Sequence, residues 1–497
     1  MIASTSANAV PYRIFWSLCL ILAAHLTYWG PNSDTMSRNI AALSIALSTD
    51  HAIVIDRFVL KMAGGPDKFI DKAKLNGHYY SGMAPGSSIL LAPVGLISER
   101  IAALAQPDVS GPQTGSRLMT RENFELLLIQ LLGTLLVVIP LTAWAWTRLY
   151  RHFTEDLQFG VGVSLLAVSA GALCSSIAFY STYISGKEIA AMLGLLAFTC
   201  AYAGKPAEPP LRRLMAAGFF TGAAVATEYT MAIFALCIFA YVAWTRTWRE
   251  SLWYALGGVV WVLILGWYHT AAFGGPLTTA YHYRWEFEAA VGHTAMPAFS
   301  QFSLRRLWGM TFSSYKGIFL YMPWFLAGLA GLSSWLSRPA YRREILLFFA
   351  VIIGFLEMLS FSPVWSSSGW GMRYLLPIFP YFAIGLAIWL SEAGKGPRTR
   401  ALTYGLIGVA LAINYLPFGA GEASNWDPPW SAPILYVAGK ILRDGFSLYS
   451  VEFVARNIRD LSALQRVAMH LIIYGSMFAG LGLIWRKEMA RMIGRKQ

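Results

Sequence analysis

Residues 124–147 read FELLLIQLLGTLLVVIPLTAWAWT, and Arg148 and Arg151 follow directly. An almost uncharged run of this length meets the requirement of about 20 apolar residues for a helix that crosses a hydrocarbon core. It is apolar on every side, so no face of it suits water. Eleven further runs share this character, at 14–30, 159–179, 188–202, 214–227, 230–244, 252–273, 317–336, 345–361, 374–390, 401–418 and 467–485. Together they predict an all-α polytopic membrane protein with about 12 transmembrane helices.

Composition agrees. Hydrophobic residues make up 56% of the 497, charged residues 13%, and the mean hydropathy is +0.50, whereas soluble domains run near 25% charged. The net charge of +13 suggests nucleic acid in a soluble protein. In a membrane protein, basic residues mark cytoplasmic connections, and no nucleic-acid partner is expected. Cys19, Cys174, Cys200 and Cys237 all lie within apolar runs, as small buried hydrophobes do. The first run has Arg13 before it, but Pro31-Asn32-Ser33-Asp34 after it does not resemble a signal-peptide cleavage site.

Basic residues fall in alternate short connections: Arg148 and Arg151; Lys205, Arg212 and Arg213; Arg246 and Arg249; Arg338, Arg342 and Arg343; Lys395, Arg398 and Arg400; then Arg486, Lys487 and Arg491 in the tail. This pattern puts both termini in the cytoplasm and makes the number of spans even. The opposite face receives three long loops, 31–123, 274–316 and 419–466, and long loops in compact proteins are usually functional. Residues 87–104 are apolar enough to span, but counting them inverts every later loop. They are therefore expected to form a juxtamembrane or re-entrant helix. Residues 1–418 then form one transmembrane module, in which 31–123 is a loop carrying juxtamembrane helices. Residues 419–497 add a loop, the last span and a basic tail.

Polar chemistry concentrates on the long-loop side. Asp34 opens the first loop directly after the first span, in NSDTMSRNIAALSIALST (32–49), whose pattern continues as a helix, and it reads equally as a helix cap or as a base beside the membrane. DKAKLNGHYYSGMAPG (71–86) holds a tight Asn76-Gly77 turn, then His78, Tyr79 and Tyr80. Lys187 and Glu228 sit at span ends, where charges face a cavity or each other; Lys187 pairing with Glu228 or with Glu188 is the plainer alternative. His282 and Tyr283 lie in the second long loop. Lys316 and Arg373 stand where a helix meets the interface, placed either to grip a phosphate or to snorkel to lipid headgroups. Nucleotide-loop, HExxH and paired CxxC patterns are absent from the sequence.

Several segments together resemble the GT-C superfamily of membrane glycosyltransferases, among relatives of protein mannosyltransferases and aminoarabinose transferases. They are Asp34 after the first span, NGHYYSGMAPG (76–86), AAGFFTGAAVATEYT (216–230), FGGPLTTAYHY (273–283), SSYKGIFLYMPW (313–324) and GWGMRYLLPIFP (369–380). They recur in the order of that group and reach to about residue 390. The resemblance implies a polyprenyl-phosphate sugar donor and a lipid, glycan or protein acceptor in the cell envelope, beyond a bacterial inner membrane. It implies Asp34 as base in an inverting displacement, with Arg373, Lys316 and Lys187 holding the donor phosphate. His78, Tyr79, Tyr80, Glu228, His282 and Tyr283 then line the cavity. Relatives carry a lysine where this chain has Met83, which leaves another cation to serve. No acidic cluster suits a divalent ion, so a metal-independent reaction is expected. A flippase for lipid-linked sugars and an O-antigen ligase or polymerase are the alternatives; charges gathered at one edge favour the transferase over the flippase.

Overall fold

The computed structural model describes residues 9–27, 35–61, 71–105, 121–202, 204, 211–283, 301–362, 365, 369–392, 396–420, 432–457 and 460–494. Each of the twelve apolar runs contains helix among the described residues, and the chain is a multi-pass membrane protein. Among the described residues, seven helices are long and apolar enough to cross a membrane, and several shorter apolar helices accompany them. The only sheet among those residues is a two-stranded hairpin, Lys72–Leu75 with His78–Ser81.

Local chemistry accounts for where helices run on and where they break. The 124–147 run lies inside one 36-residue helix, Arg121–Asp156, about 54 Å long at 1.5 Å per residue. It contains a π turn, Thr134–Val138, just before Pro140; proline offers no N–H and crowds the preceding turn, which loosens the regular ladder. The 159–179 run splits at Ser175, whose hydroxyl accepts the Ile177 N–H at 3.2 Å and caps the short Ser176–Tyr180 helix. Met322-Pro323 divides the 317–336 run into Ile318–Tyr321 and Phe325–Trp335. Trp248–Phe273 is delimited cleanly, by a Thr247/Glu250 capping box and by Gly274 in the left-handed region.

Contacts between helix ends sort them into two sets. At one end Thr27 meets Thr182, Ser37 meets Ile184, Lys187 meets Glu228, Tyr229 meets His269 and Tyr180 meets Trp370. At the other, Arg213 donates to the Thr199 carbonyl, Arg246 to the Tyr202 carbonyl, Arg338 pairs with Glu392 and Arg13 with Glu488. The long loops belong to the first set and the basic connections to the second, the alternation that the loop charges predict.

Gly86–Ala105 is among the helices long enough to span, yet its main neighbours are Thr35–Ile45, Arg121–Gly133 and the end of Leu211–Thr227. The first span packs instead on Ile139–Arg151, further along the 36-residue helix. Gly86–Ala105 therefore packs among segments of the first long loop and the helix that follows it. A separate apolar cluster forms there, with Phe58, Val94, Leu126, Ile129, Tyr268 and Phe273 among its members. The last helix, Ala463–Gly494, packs along the first: Trp485 Nε1 donates to Ser17 Oγ at 2.9 Å, and the Arg13 guanidinium lies over the same indole.

Candidate functional site

The site is built from the hairpin inward. Asn76 and Gly77 both have positive φ, +51° and +85°, the pair of angles that a tight two-residue hairpin turn requires. Asp56 fastens the far strand: its carboxylate bonds His78 Nδ1 at 2.6 Å and accepts the Tyr79 N–H at 2.5 Å. Tyr79 and Tyr80 are buried. The Tyr80 ring lies 5.3 Å from Phe273, on which Tyr283 stacks. Burial, with the Asp56 carboxylate second, pushes the Tyr80 hydroxyl above its ordinary range.

The chain leaving the hairpin runs straight to the helix ends that carry charge. The Gly82 N–H donates to Asn39 Oδ1, which ties the hairpin to the Thr35–Ile45 helix. At Gly86 a Cβ would come within 2.5 Å of Ala226 backbone, and at Gly186 one would meet Ser87 and Thr227. The strand-to-helix corner at 86–87 thus packs against Gly186 and the Ala226–Thr227 backbone, the neighbours in sequence of Lys187 and Glu228. Ser37 Oγ donates to the Ile184 carbonyl at 2.6 Å, three residues before Lys187.

Lys187 and Glu228 are 5% and 9% exposed, and the ammonium is 2.9 Å from Glu228 Oε2. Neighbouring Glu188 turns away and accepts from Thr142 and Ser181. The Lys187 ammonium also stands 4.2 Å from the centre of the Tyr374 ring, a cation–π distance. The Arg373 guanidinium stands 5.6 Å from the centre of the same Tyr374 ring. A lysine, a carboxylate, a tyrosine and an arginine thus share one niche.

Arg373 is aimed by the GWGM loop. Gly369 and Gly371 take φ of +125° and +60°, open only to glycine at low cost, and Tyr180 Oη donates to the Trp370 carbonyl at 3.0 Å. Lys316 is 1% exposed, its ammonium 5.0 Å from the Tyr315 ring. The Tyr315 carbonyl accepts from Tyr321, whose ring leans on Trp370. Lys316 and Arg373 therefore share a scaffold.

The structure brings Lys187, Glu228 and Arg373 together around Tyr374, while Tyr79 and Tyr80 belong to the separate apolar cluster with Phe273. His78 is half exposed on its Asp56 pairing. His282 is exposed and bonds the Thr279 carbonyl in its own turn. Asp34 lies outside the described residues. Three participants escaped the sequence reading. Asp56 anchors the hairpin, Tyr374 faces Lys187, and Lys72 is 1% exposed opposite Ser81. Hairpin register could have flagged Lys72, since it shares a face with Tyr79; the other two depend on contacts distant in sequence. Next to Glu228 in sequence, Tyr229 Oη bonds His269 Nε2 at 2.8 Å, and His269 Nδ1 bonds the Pro276 carbonyl. That carbonyl needs a donor, so the imidazole is the Nδ1–H tautomer and Tyr229 donates.

No family model and no curated protein matches the chain. Among the solved structures similar to the chain are two of ArnT from Cupriavidus metallidurans. The structure bound to undecaprenyl phosphate shares 14% identity at a TM-score of 0.49, and the apo structure 15% at 0.48. Each match covers 97% of this chain and 76% of the other.

Proposed function

We propose that this chain is a GT-C-type glycosyltransferase of a bacterial inner membrane, with its long loops facing away from the cytoplasm. It moves a sugar from a polyprenyl-phosphate donor to a hydroxyl of a lipid, glycan or protein acceptor. The observation that carries the reading is the niche where Lys187, Glu228, Tyr374 and Arg373 converge at the helix ends. Two cations placed beside a buried carboxylate suit an anionic headgroup whose charge grows during reaction.

The acceptor oxygen attacks the anomeric carbon from the face opposite the phosphate. Its proton passes to the Asp34 carboxylate, the carbon–oxygen bond to phosphate breaks, and the polyprenyl phosphate departs with one further negative charge. Arg373 can meet that charge through paired N–H donors, and Lys187 and Lys316 as point charges. With Met83 in place of a lysine, these residues supply the positive charge. Glu228 holds the Lys187 ammonium in place and lowers the net charge of the empty niche. Supporting a role for Asp34, the helix that follows it is pinned by Ser37 to the 184–187 turn. The reaction is metal-independent in this scheme.

The test is direct. The purified chain in lipid nanodiscs is given polyprenyl-phosphate sugars labelled in the sugar, with envelope glycolipids as acceptors. Release of polyprenyl phosphate matched by labelled acceptor is expected. Movement of intact donor across the bilayer without bond cleavage would establish a flippase instead.

A further inference from the structure

Helix Pro433–Asp444, in the third long loop, divides into three stripes. Pro433 and Val437 are buried and Ile434 and Ile441 partly so, which marks the face packed on the protein. Tyr436, Lys440 and Arg443 form a second stripe, on which Lys440 reaches Asp444 at 2.9 Å. Leu435, Ala438, Gly439 and Leu442 recur at i, i+3, i+4 and i+7, so they share a third. That third stripe carries no polar side chain, and its leucines stand bare among the described residues, Leu435 72% and Leu442 86% exposed. A short helix with one bare aliphatic stripe beside a stripe of tyrosine and basic residues suits the boundary of a bilayer better than water.

The place of the helix supplies that boundary. It packs on Pro397–Gly419, and Val437 belongs to the apolar cluster that contains Phe418 and Ala420. Just past its end, the Phe446 ring stacks on Tyr415 at 6.1 Å, and a Cβ at Gly419 would press on the same ring. The Ser447 N–H donates to the Gly419 carbonyl, and the Leu448 N–H to His470 Nε2. The helix is thus tied to the long-loop ends of two membrane-crossing helices, one closing at Gly419 and one passing through His470. Leu471 and Ile472, directly after His470, are exposed apolar residues of the second of these and face lipid. The bare leucines of Pro433–Asp444 extend that lipid-facing surface to the loop side.

We propose that Pro433–Asp444 is an interfacial helix whose Leu435–Leu442 stripe is covered by bilayer lipid, at the boundary of headgroups and acyl chains. Its Tyr436, Lys440 and Arg443 stripe then lies at headgroup level, where amphipathic side chains keep their polar tips wet. A second copy of the chain is a poorer occupant, because a stable interface buries about 800 Å² per partner. Two leucines, an alanine and a glycine offer far less. The surface is independent of the transferase reading, and it fastens the chain between these two helices to the membrane.

The experiment uses the full chain in nanodiscs of phosphatidylethanolamine and phosphatidylglycerol, with its four native cysteines replaced by alanine. A nitroxide is attached to single cysteines in Leu435→Cys, Leu442→Cys, Ile472→Cys and Asp460→Cys. Collision with oxygen, which concentrates in lipid, is compared with collision with a water-soluble nickel chelate. Ile472, exposed on the last membrane-crossing helix, is the lipid reference, and Asp460, exposed in a loop, is the water reference. The oxygen-to-nickel ratios at 435 and 442 are expected within about threefold of the Ile472 value and about tenfold above the Asp460 value. If the alanine background loses the wild-type size-exclusion profile, the cysteines are placed in the native chain and the signal of its labelled native cysteines is subtracted. Ratios equal to that of Asp460 would overturn the inference by placing the stripe in water. Low collision rates with both reagents would overturn it as well, because protein rather than lipid would then cover the leucines.

Discussion

At the scale of single residues, the Lys187–Glu228 pair has the sharpest consequences. Both groups are nearly dry, and stripping one partner leaves the other charged and buried. Lys187→Met is therefore expected to destabilise the protein by about 3–5 kcal/mol. The double variant Lys187→Met with Glu228→Leu should recover most of that loss, because it leaves no orphan charge. Thermal unfolding in detergent, read by tryptophan fluorescence, checks the pair. Equal instability of the single and double variants would show that the two side chains do not depend on each other. Arg373 differs: it is partly exposed and contributes little to the core. Arg373→Ala should weaken binding of a polyprenyl-phosphate sugar by about 10–100-fold, as loss of a charge-assisted contact does, with little change in melting temperature. Undiminished donor affinity would transfer its proposed role to Lys316. Of these residues, the type and approximate place of Lys187, Glu228 and Arg373 were legible, because charges at the ends of apolar runs stand out against hydrocarbon. Which of them touch was not legible. Lys187 had Glu188 beside it as an equally plausible partner, and only the facing of the Gly186–Ala201 helix sends the ammonium to Glu228 and the Glu188 carboxylate to Thr142.

At the scale of elements, two helices meet backbone to backbone at their glycines. A Cβ at Gly331 would stand 1.9 Å from the Gly385 carbonyl oxygen, and one at Gly385 2.0 Å from the Gly328 oxygen. Small residues let membrane helices approach this closely. Gly331→Leu should force Phe325–Trp335 away from Phe379–Ser391, at a cost of about 3 kcal/mol or more. Gly405→Leu, where a Cβ meets nothing within 4 Å, should be tolerated. Yield of monodisperse protein on size exclusion distinguishes them, and equal yields would contradict the packing. Helix existence was legible throughout, since every apolar run contains helix among the described residues, but helix ends were not. The first run was placed at 14–30 and its helix is Val10–Ala24; the breaks at Ser175 and Pro323 fall inside runs that hydropathy reads as continuous. Hydropathy reports the solvent around a segment and is silent about where a serine caps or a proline interrupts the ladder. The hairpin shows the converse: Asn76-Gly77 signalled its turn locally, while the strand pairing that buries Lys72 depends on register.

At the scale of the whole molecule, the separation of basic connections from long loops gives the protein two chemically different ends. Cysteines introduced singly at Arg212 and at His282 should react with a membrane-impermeant maleimide from opposite sides of intact cells, His282 from outside. Labelling of both from one side would invalidate the proposed orientation. If the departing phosphate is met by Lys187, Lys316 and Arg373 rather than by an ion, transfer should proceed within about twofold of its normal rate in excess EDTA. Loss of activity that returns with magnesium or manganese would refute that. The overall architecture was legible because burying apolar runs in lipid dominates every other energy here; the niche required coordinates, because it joins residues from three separate segments. The central claim is that the carboxylate opening the first loop takes the proton of the attacking hydroxyl. Its most direct test compares wild type with Asp34→Asn for single-turnover transfer from a labelled polyprenyl-phosphate sugar, together with the donor Kd. The account predicts a fall in rate of about 10²–10⁴-fold with the donor Kd held within threefold; transfer at close to the wild-type rate would contradict it.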